Sequence, residues 1–148
     1  DIELKCNFFG FNNINPVWAE EFNNEISSCY MGLCLQRKPQ LKYCLSDRIA
    51  QYGGNGLMLF IEKDTQFNEF LNDNEEAVFF DGIDDFLEKI IYYKKNKDES
   101  LEIAEAGYNK LHRYCNEKVV TNYFLDCLFS KNLNNLNKEY MWPIHFYK

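Results

Sequence analysis

The sequence predicts an α/β fold, a parallel sheet of about four or five strands with helices on both faces and a helical C-terminal end. Short apolar runs of strand length alternate with amphipathic helical patterns, which implies right-handed parallel crossovers. Residues 57–61 are apolar at every position, as expected for a central parallel strand that is buried on both faces. A run of helical patterns then closes the chain.

The first strand is predicted at residues 2–8, where apolar and polar side chains alternate with the period of a strand that has one polar face. Pro16 opens a short helix, in which Trp18, Phe22 and Ile26 recur at helical spacing. The remaining elements of the sheet region are predicted from apolar runs: strands at 31–35, 57–61 and 77–80, and a short helix at 67–71.

Three longer helices are predicted towards the end of the chain. The helix that starts near Ile83 has Asp84 and Asp85 in its first turn and Lys94 and Lys95 in its last turn, so both signs of charge complement the helix dipole. Apolar residues at helical spacing predict two more helices, over residues 101–115 and 120–128.

The segment 46–61 combines a helix start, a glycine-rich break and a buried strand. Ser46 is a favoured N-cap and Asp47 suits the positive end of the helix dipole. Gly53, Gly54 and Gly56 allow backbone conformations that a side chain would forbid. The pattern indicates an anion site at a sheet edge, although the same residues are also ordinary capping and turn chemistry.

Charge favours the anion site. Arg37, Lys38, Lys42 and Arg48 lie in a short stretch that contains one acid, Asp47, whereas the whole chain has a formal net charge of -7. An acidic chain is a poor general surface for nucleic acid, so we expect no nucleic-acid partner. The local basic stretch instead suits a small phosphate-bearing ligand.

The size and composition suit one principal domain. With 148 residues, of which 46% are hydrophobic, the chain is long enough to bury a proper core. We expect the domain to cover residues 1–130. We predict that residues 131–148 form an Asn- and Lys-rich linker followed by an aromatic tail. This tail would pack back on this domain or on a missing N-terminal domain.

The cysteine spacing and the length of the apolar runs indicate where in the cell we expect this protein. Six cysteines without a Cys-x-x-Cys pair indicate neither zinc nor a disulfide framework. No apolar run approaches the length of a transmembrane helix and no signal peptide is evident, so we expect a cytoplasmic location and no transmembrane segment. Because the sequence opens at Asp1 on a strand-like pattern, we expect it to be part of a longer protein.

Residues 28–128 resemble the C-terminal, nucleotide-sugar-binding half of a GT-B glycosyltransferase, most closely the group-1 transferases related to the CgeB spore-maturation proteins. The resemblance is carried by Ser46-Asp47-Arg48-Ile49, by Gly54-Asn55-Gly56 and by the apolar run after them. It continues in the helix that begins at Asp84-Asp85 and ends in the pair Tyr92-Tyr93, and then in the Ala106-Gly107-Tyr108 helix.

The resemblance implies a Rossmann-like domain that holds the nucleoside diphosphate of an activated sugar, in an enzyme of the hexosyltransferase type. The acceptor, whose identity the sequence leaves open, would be held by a separate N-terminal domain of the same protein. No cofactor or metal is expected beside the nucleotide-sugar. Arg37 and Arg48 would contact the diphosphate. The other expected pocket residues are Ser46, Asp47, Gln51, Gly54, Asn55 and Gly56.

Many related retaining transferases carry a glutamate where this sequence has Gln51, and an amide can hydrogen-bond a hydroxyl but supplies no carboxylate. The sequence therefore leaves open which sugar donor is used and whether the anomeric configuration is retained or inverted. Neither His112 nor His145 lies near the predicted site in sequence. The resemblance implies that a general base would come from the N-terminal half, so we expect this chain alone to be inactive. The alternative is a catalytically silent Rossmann-like interaction or regulatory module.

Overall fold

The computed structural model of this chain describes residues 6, 8–10, 12–36, 47–129 and 140. Within these residues the chain forms three strands, β1 to β3, and four α-helices, α1 to α4. In chain order the elements are α1 Ala19–Ser27, β1 Met31–Cys34, a π-helical turn Ile49–Gly53, β2 Met58–Glu62, two 3-10 turns Lys63–Thr65 and Phe67–Glu69, β3 Val78–Phe80, α2 Gly82–Lys95, α3 Lys97–Tyr114 and α4 Glu117–Phe129.

The three described strands form a parallel sheet in the order β1-β2-β3. Met31 pairs with Met58 across β1 and β2, and Phe60 pairs with Val78 across β2 and β3. The predicted α/β class and parallel sheet are therefore confirmed. The strand predicted at residues 2–8 lies outside the described residues, apart from Cys6 and Phe8.

Each face of the sheet carries its own apolar cluster, because successive side chains of a strand point to opposite faces. On one face Phe60 of β2 packs with Tyr93 of α2 and Ile103 of α3. On the other face Leu59 packs with Ile49 of the π-helical turn and Leu111 of α3. Helical segments thus cover both faces, as the sequence predicts.

Helix α3 passes from one face to the other beneath the edge at which the strands begin. Ala104 belongs to the first apolar cluster and Leu111 to the second. Between them Gly107 lies directly against the backbone carbonyl of Glu76, in the turn that leads into β3. The Glu76 carboxylate also accepts a hydrogen bond from Lys110, with both side chains largely buried. The amino edge of the sheet is therefore covered by α3.

Helix α4 extends the helical end of the fold. No side chain of α4 is fully buried in the part of the chain that the structure describes. Tyr140 returns to this helix: its hydroxyl donates to Asp126 Oδ2 at 2.6 Å, and its ring meets Tyr123 edge to face at 5.2 Å between centroids. The domain boundary near residue 130 stays a prediction. Among the described helices, none has the length and apolarity to cross a membrane.

Candidate functional site

The carboxyl ends of the three strands meet at one edge of the sheet, since the strands are parallel. Ligands of open α/β sheets bind at this edge. The described polar residues that follow the strands there come from three different loops. They are Gln36 after β1, Glu62 and Lys63 at the end of β2, and Asp81 after β3.

Arg48 reaches this edge from the helical segment that follows β1. Its Nη1 donates a hydrogen bond to the carbonyl of Leu35 at 2.9 Å, and Leu35 comes directly after β1. The Arg48 side chain is exposed beside the end of β1. A planar guanidinium in such a position suits a phosphate group, which it recognises through paired N–H donors.

Glu62, at the end of β2, is hydrogen-bonded to the residue that follows β1. Its Oε2 accepts a hydrogen bond from the backbone N–H of Gln36 at 3.2 Å. Its own carbonyl accepts the hydroxyl proton of Thr65 at 2.7 Å, and Thr65 is fully buried. The Glu62 carboxylate thus connects the ends of β1 and β2, and the hydrogen bond from Thr65 holds the Glu62 main chain in place.

The Cys34 thiol and the Tyr52 phenol near Arg48 are not reactive groups at neutral pH. Burial raises the pKa of the Cys34 thiol from 9.0 to about 12, although the nearby Arg48 charge opposes this shift. Burial likewise raises the pKa of Tyr52, whose ring packs against Gly32 so closely that a Cβ there would lie 2.7 Å from its Cδ2. At neutral pH both groups stay protonated, so they line the site without acting as bases or nucleophiles.

A second charged group lies at the end of β3. Asp85 Oδ2 accepts the backbone N–H of Asp81 at 2.7 Å and the Lys89 ammonium at 2.9 Å. These two bonds hold the pKa of the Asp85 carboxyl below its ordinary value of 3.8. Lys89 also donates to the Phe79 carbonyl at 2.6 Å. Asp85 is therefore an ionised structural acid that fixes the start of α2, rather than a proton donor.

The glycine-rich residues of the predicted site lie at the opposite end of the helical segment. The N–H of Leu57 bonds the Tyr52 carbonyl, and the chain then enters β2 at its amino end. There the carbonyl of Gly54 lies 2.9 Å from Nε2 of His112, an exposed residue of α3. Gly56 has a φ of +81°, in the region that favours glycine. These residues shape the junction with α3.

The structure therefore divides the predicted site residues into groups. Asp47 and Arg48 lie at the carboxyl edge, and Gln51 follows one turn later with an exposed side chain. Gly54, Asn55 and Gly56 lie near the amino edge, where Asn55 Nδ2 donates to the Gln51 carbonyl at 2.6 Å. Arg37 and Ser46 lie outside the described residues. Glu62 was not expected from the sequence, although a carboxylate directly after a fully apolar strand could have indicated it.

The site residues do not form a metal centre among the described positions. In residues 6, 8–10, 12–36, 47–129 and 140, no group of three or more His, Cys, Asp and Glu side chains is arranged to hold a metal ion. The described edge carries the Arg48 guanidinium and the Glu62 carboxylate, each hydrogen-bonded to the main chain.

The parallel sheet with helices on both faces defines the class of this protein as an α/β domain of Rossmann-like type. The family model for glycosyl transferase-like proteins matches residues 3–125. The chain belongs to this family, and its general activity class is glycosyl transfer. Neither the curated proteins nor the solved structures contain a significant match to the chain.

Proposed function

We propose that this chain is the donor-binding, C-terminal half of a GT-B glycosyltransferase of the CgeB-like group, and that it holds the diphosphate of a nucleotide-sugar. The observation that carries the proposal is the position of Arg48. In a glycosyl transferase-like chain, this cation is hydrogen-bonded to the Leu35 carbonyl at the carboxyl edge of the sheet, where α/β folds bind their ligands.

The physical role of Arg48 follows from the reaction. When a sugar leaves a nucleotide-sugar, negative charge develops on the departing nucleoside diphosphate, and stabilising that charge is the main electrostatic task. A guanidinium stays protonated throughout and offers two parallel N–H donors to phosphate oxygens. We propose that Arg48 supplies this stabilisation and that Arg37 reaches the same oxygens from the preceding loop.

The remaining residues have supporting roles in the proposal. Ser46 and Asp47 precede Arg48 in the sequence, and we propose that they help to shape the diphosphate pocket. Gln51 lies one turn further and offers an amide to a ribose or sugar hydroxyl. Gly54, Asn55 and Gly56 lie at the far end of the segment, where the Gly54 carbonyl meets His112 of α3.

The proposal extends to the whole enzyme. We propose that the acceptor and the general base belong to an N-terminal domain of the same protein, as the resemblance to GT-B transferases implies. The 148-residue chain would bind a donor without turning it over. We propose a cytoplasmic enzyme of the hexosyltransferase type that uses no metal or other cofactor.

The test is calorimetric titration of the 148-residue chain with nucleoside diphosphates and nucleotide-sugars. Saturable binding of one nucleotide should weaken by about 1.5–3 kcal/mol in Arg48→Ala, roughly 10- to 150-fold in Kd, since a charge-assisted bond is lost. Arg113→Ala is the matched control, because it removes an exposed arginine from α3. Equal losses in both variants, or none in Arg48→Ala, would count against the proposed site.

A silent interaction module is the second candidate, and α4 favours it. Phe124, Leu125, Leu128 and Phe129 are large apolar side chains with exposed fractions of 47% to 77%, grouped on one side of this helix. A surface of this kind is typical of a contact with another protein surface. If no nucleotide binds, and if a Phe124→Ser, Leu128→Ser variant loses self-association or partner binding, this second function is favoured.

A further inference from the structure

Arg48 and Glu62 bond to opposite ends of one peptide group. The carbonyl of Leu35 and the N–H of Gln36 belong to the same peptide unit. Arg48 Nη1 donates to that carbonyl at 2.9 Å, and Glu62 Oε2 accepts from that N–H at 3.2 Å. A positive group thus bonds the negative end of the peptide dipole, while a negative group bonds its positive end.

The two bonds strengthen each other. A hydrogen bond to the carbonyl polarises the peptide and makes its N–H a better donor, and the carboxylate has the reciprocal effect on the carbonyl. Both bonds are charge-assisted and join groups that are distant in sequence, with separations of 13 residues for Arg48 and 26 for Glu62. They also fix the plane of the peptide, and so the direction from which Arg48 approaches it.

We infer that Glu62 is a positioning residue for Arg48, acting through the Leu35–Gln36 peptide rather than by contact with a ligand. The inference rests on the proposed function for its consequence in binding. Without the Glu62 carboxylate the plane of the Leu35–Gln36 peptide is held less firmly, and the carbonyl that accepts from the Arg48 guanidinium is less fixed in direction. The phosphate site then loses a preorganised cation.

A positioning role of Glu62 and a purely electrostatic role predict opposite changes in anion binding when its charge is removed. A carboxylate near an anion site repels the anion, so its removal would strengthen binding if charge alone mattered. A positioning role predicts the reverse. Glu62→Gln keeps the shape of the side chain but removes its charge, and we expect it to weaken binding of inorganic pyrophosphate by roughly 3- to 10-fold, the loss expected when a hydrogen bond is weakened.

Asp64→Asn is the matched control. Asp64 is exposed in the 3-10 turn directly after β2, and its carboxylate makes no described bond to the Leu35–Gln36 peptide. This variant removes the same charge from the same turn region. We expect unchanged or tighter pyrophosphate binding. If Glu62→Gln binds as tightly as Asp64→Asn, or tighter than wild type, the inference is overturned while the proposed function stands.

A second measurement tests the peptide link without any ligand. In ¹H–¹⁵N spectra of the chain, the amide proton of Gln36 should shift upfield in Glu62→Gln and also in Arg48→Ala, which does not touch that amide. Asp64→Asn should leave it in place, and a dispersed spectrum shows that each variant is folded. An unmoved Gln36 amide in Arg48→Ala overturns the link. If wild type fails to bind pyrophosphate while the amide moves in both variants, the proposed function fails and the link remains.

Discussion

Gly107→Ala tests how α3 closes the amino edge of the sheet. A Cβ at this position would overlap the backbone carbonyl oxygen of Glu76 and would lie 3.3 Å from its carbonyl carbon. The oxygen belongs to the turn that enters β3, so it has no free rotation by which to move away. Either α3 must shift outwards or the Asn72 to Ala77 turn, held by its own backbone bonds, must distort.

The expected cost follows from two opposing effects. Overpacking costs about 1–3 kcal/mol, and a clash with main chain belongs at the upper end of that range. Alanine in a helix interior is favoured over glycine by about 1 kcal/mol, which offsets part of the cost. The net loss is about 2 kcal/mol. For a chain of this length that lowers Tm by roughly 4–8 °C.

Gly54→Ala is the control for the glycine effect itself. Gly54 has φ −65° and ψ −19°, and no described atom lies within 4 Å of an added Cβ. Alanine fits this conformation and restricts the unfolded chain, so we expect a gain of about 0.4–1 kcal/mol. Calorimetric melting of the three proteins gives the comparison. A Gly107→Ala protein that melts at or above wild type would refute the close seating of α3.

Three further predictions concern the core and the pH dependence. Phe60→Ala should cost about 3–5 kcal/mol in urea unfolding, because the ring is buried and meets Phe86 at 5.3 Å; a loss under 1 kcal/mol would contradict this packing. The raised pKa of Cys34 means that the unfolded thiol ionises first above pH 9, so stability should fall by up to about 1.4 kcal/mol per pH unit towards pH 12, and Cys34→Ala should flatten that slope. Asp85→Asn should cost about 1 kcal/mol through its weakened bond to Lys89. Because the pKa of wild-type Asp85 is lowered in the folded protein, its carboxylate stabilises the fold above pH 3.8 and this stabilisation is lost as the pH falls. If the free energy of unfolding of Asp85→Asn falls with acid pH just as in wild type, this role of Asp85 is contradicted.

Local pattern was sufficient to predict the three strands that the structure describes, whereas the strand predicted at residues 2–8 stays a prediction. The apolar runs at 31–35, 57–61 and 77–80 correspond to Met31–Cys34, Met58–Glu62 and Val78–Phe80. The composition of these runs is sufficient to predict buried strands, because a short, fully apolar segment between polar loops is stable only when both of its faces are covered. The four α-helices were predicted, although the first begins at Ala19 and not at Pro16. The segment after Ser46 is π-helical at Ile49–Gly53, and the segment near Phe67 forms 3-10 turns.

The candidate site was predicted less completely, since neighbours in sequence need not share an edge of the sheet. Arg48 and Gly54 belong to one segment, yet the segment runs back along the sheet and places them towards opposite edges. The glycines have the composition of a phosphate loop. In the folded chain Gly53 instead admits Leu111, and the Gly54 carbonyl meets His112. Close helix packing and phosphate binding both demand glycine, so composition alone does not separate them.

The sequence by itself determined the fold class and the order and positions of the three described strands, because hydrophobic period and residue type are local properties. Arg48 as the cation of a donor site stays a prediction. The tertiary structure alone decided that Arg48 and Glu62 share the Leu35–Gln36 peptide, and that α3 covers the amino edge through Gly107. Both arrangements join residues far apart in the chain. Such contacts depend on how the strands and helices pack in space, and spacing along the sequence carries no record of that distance.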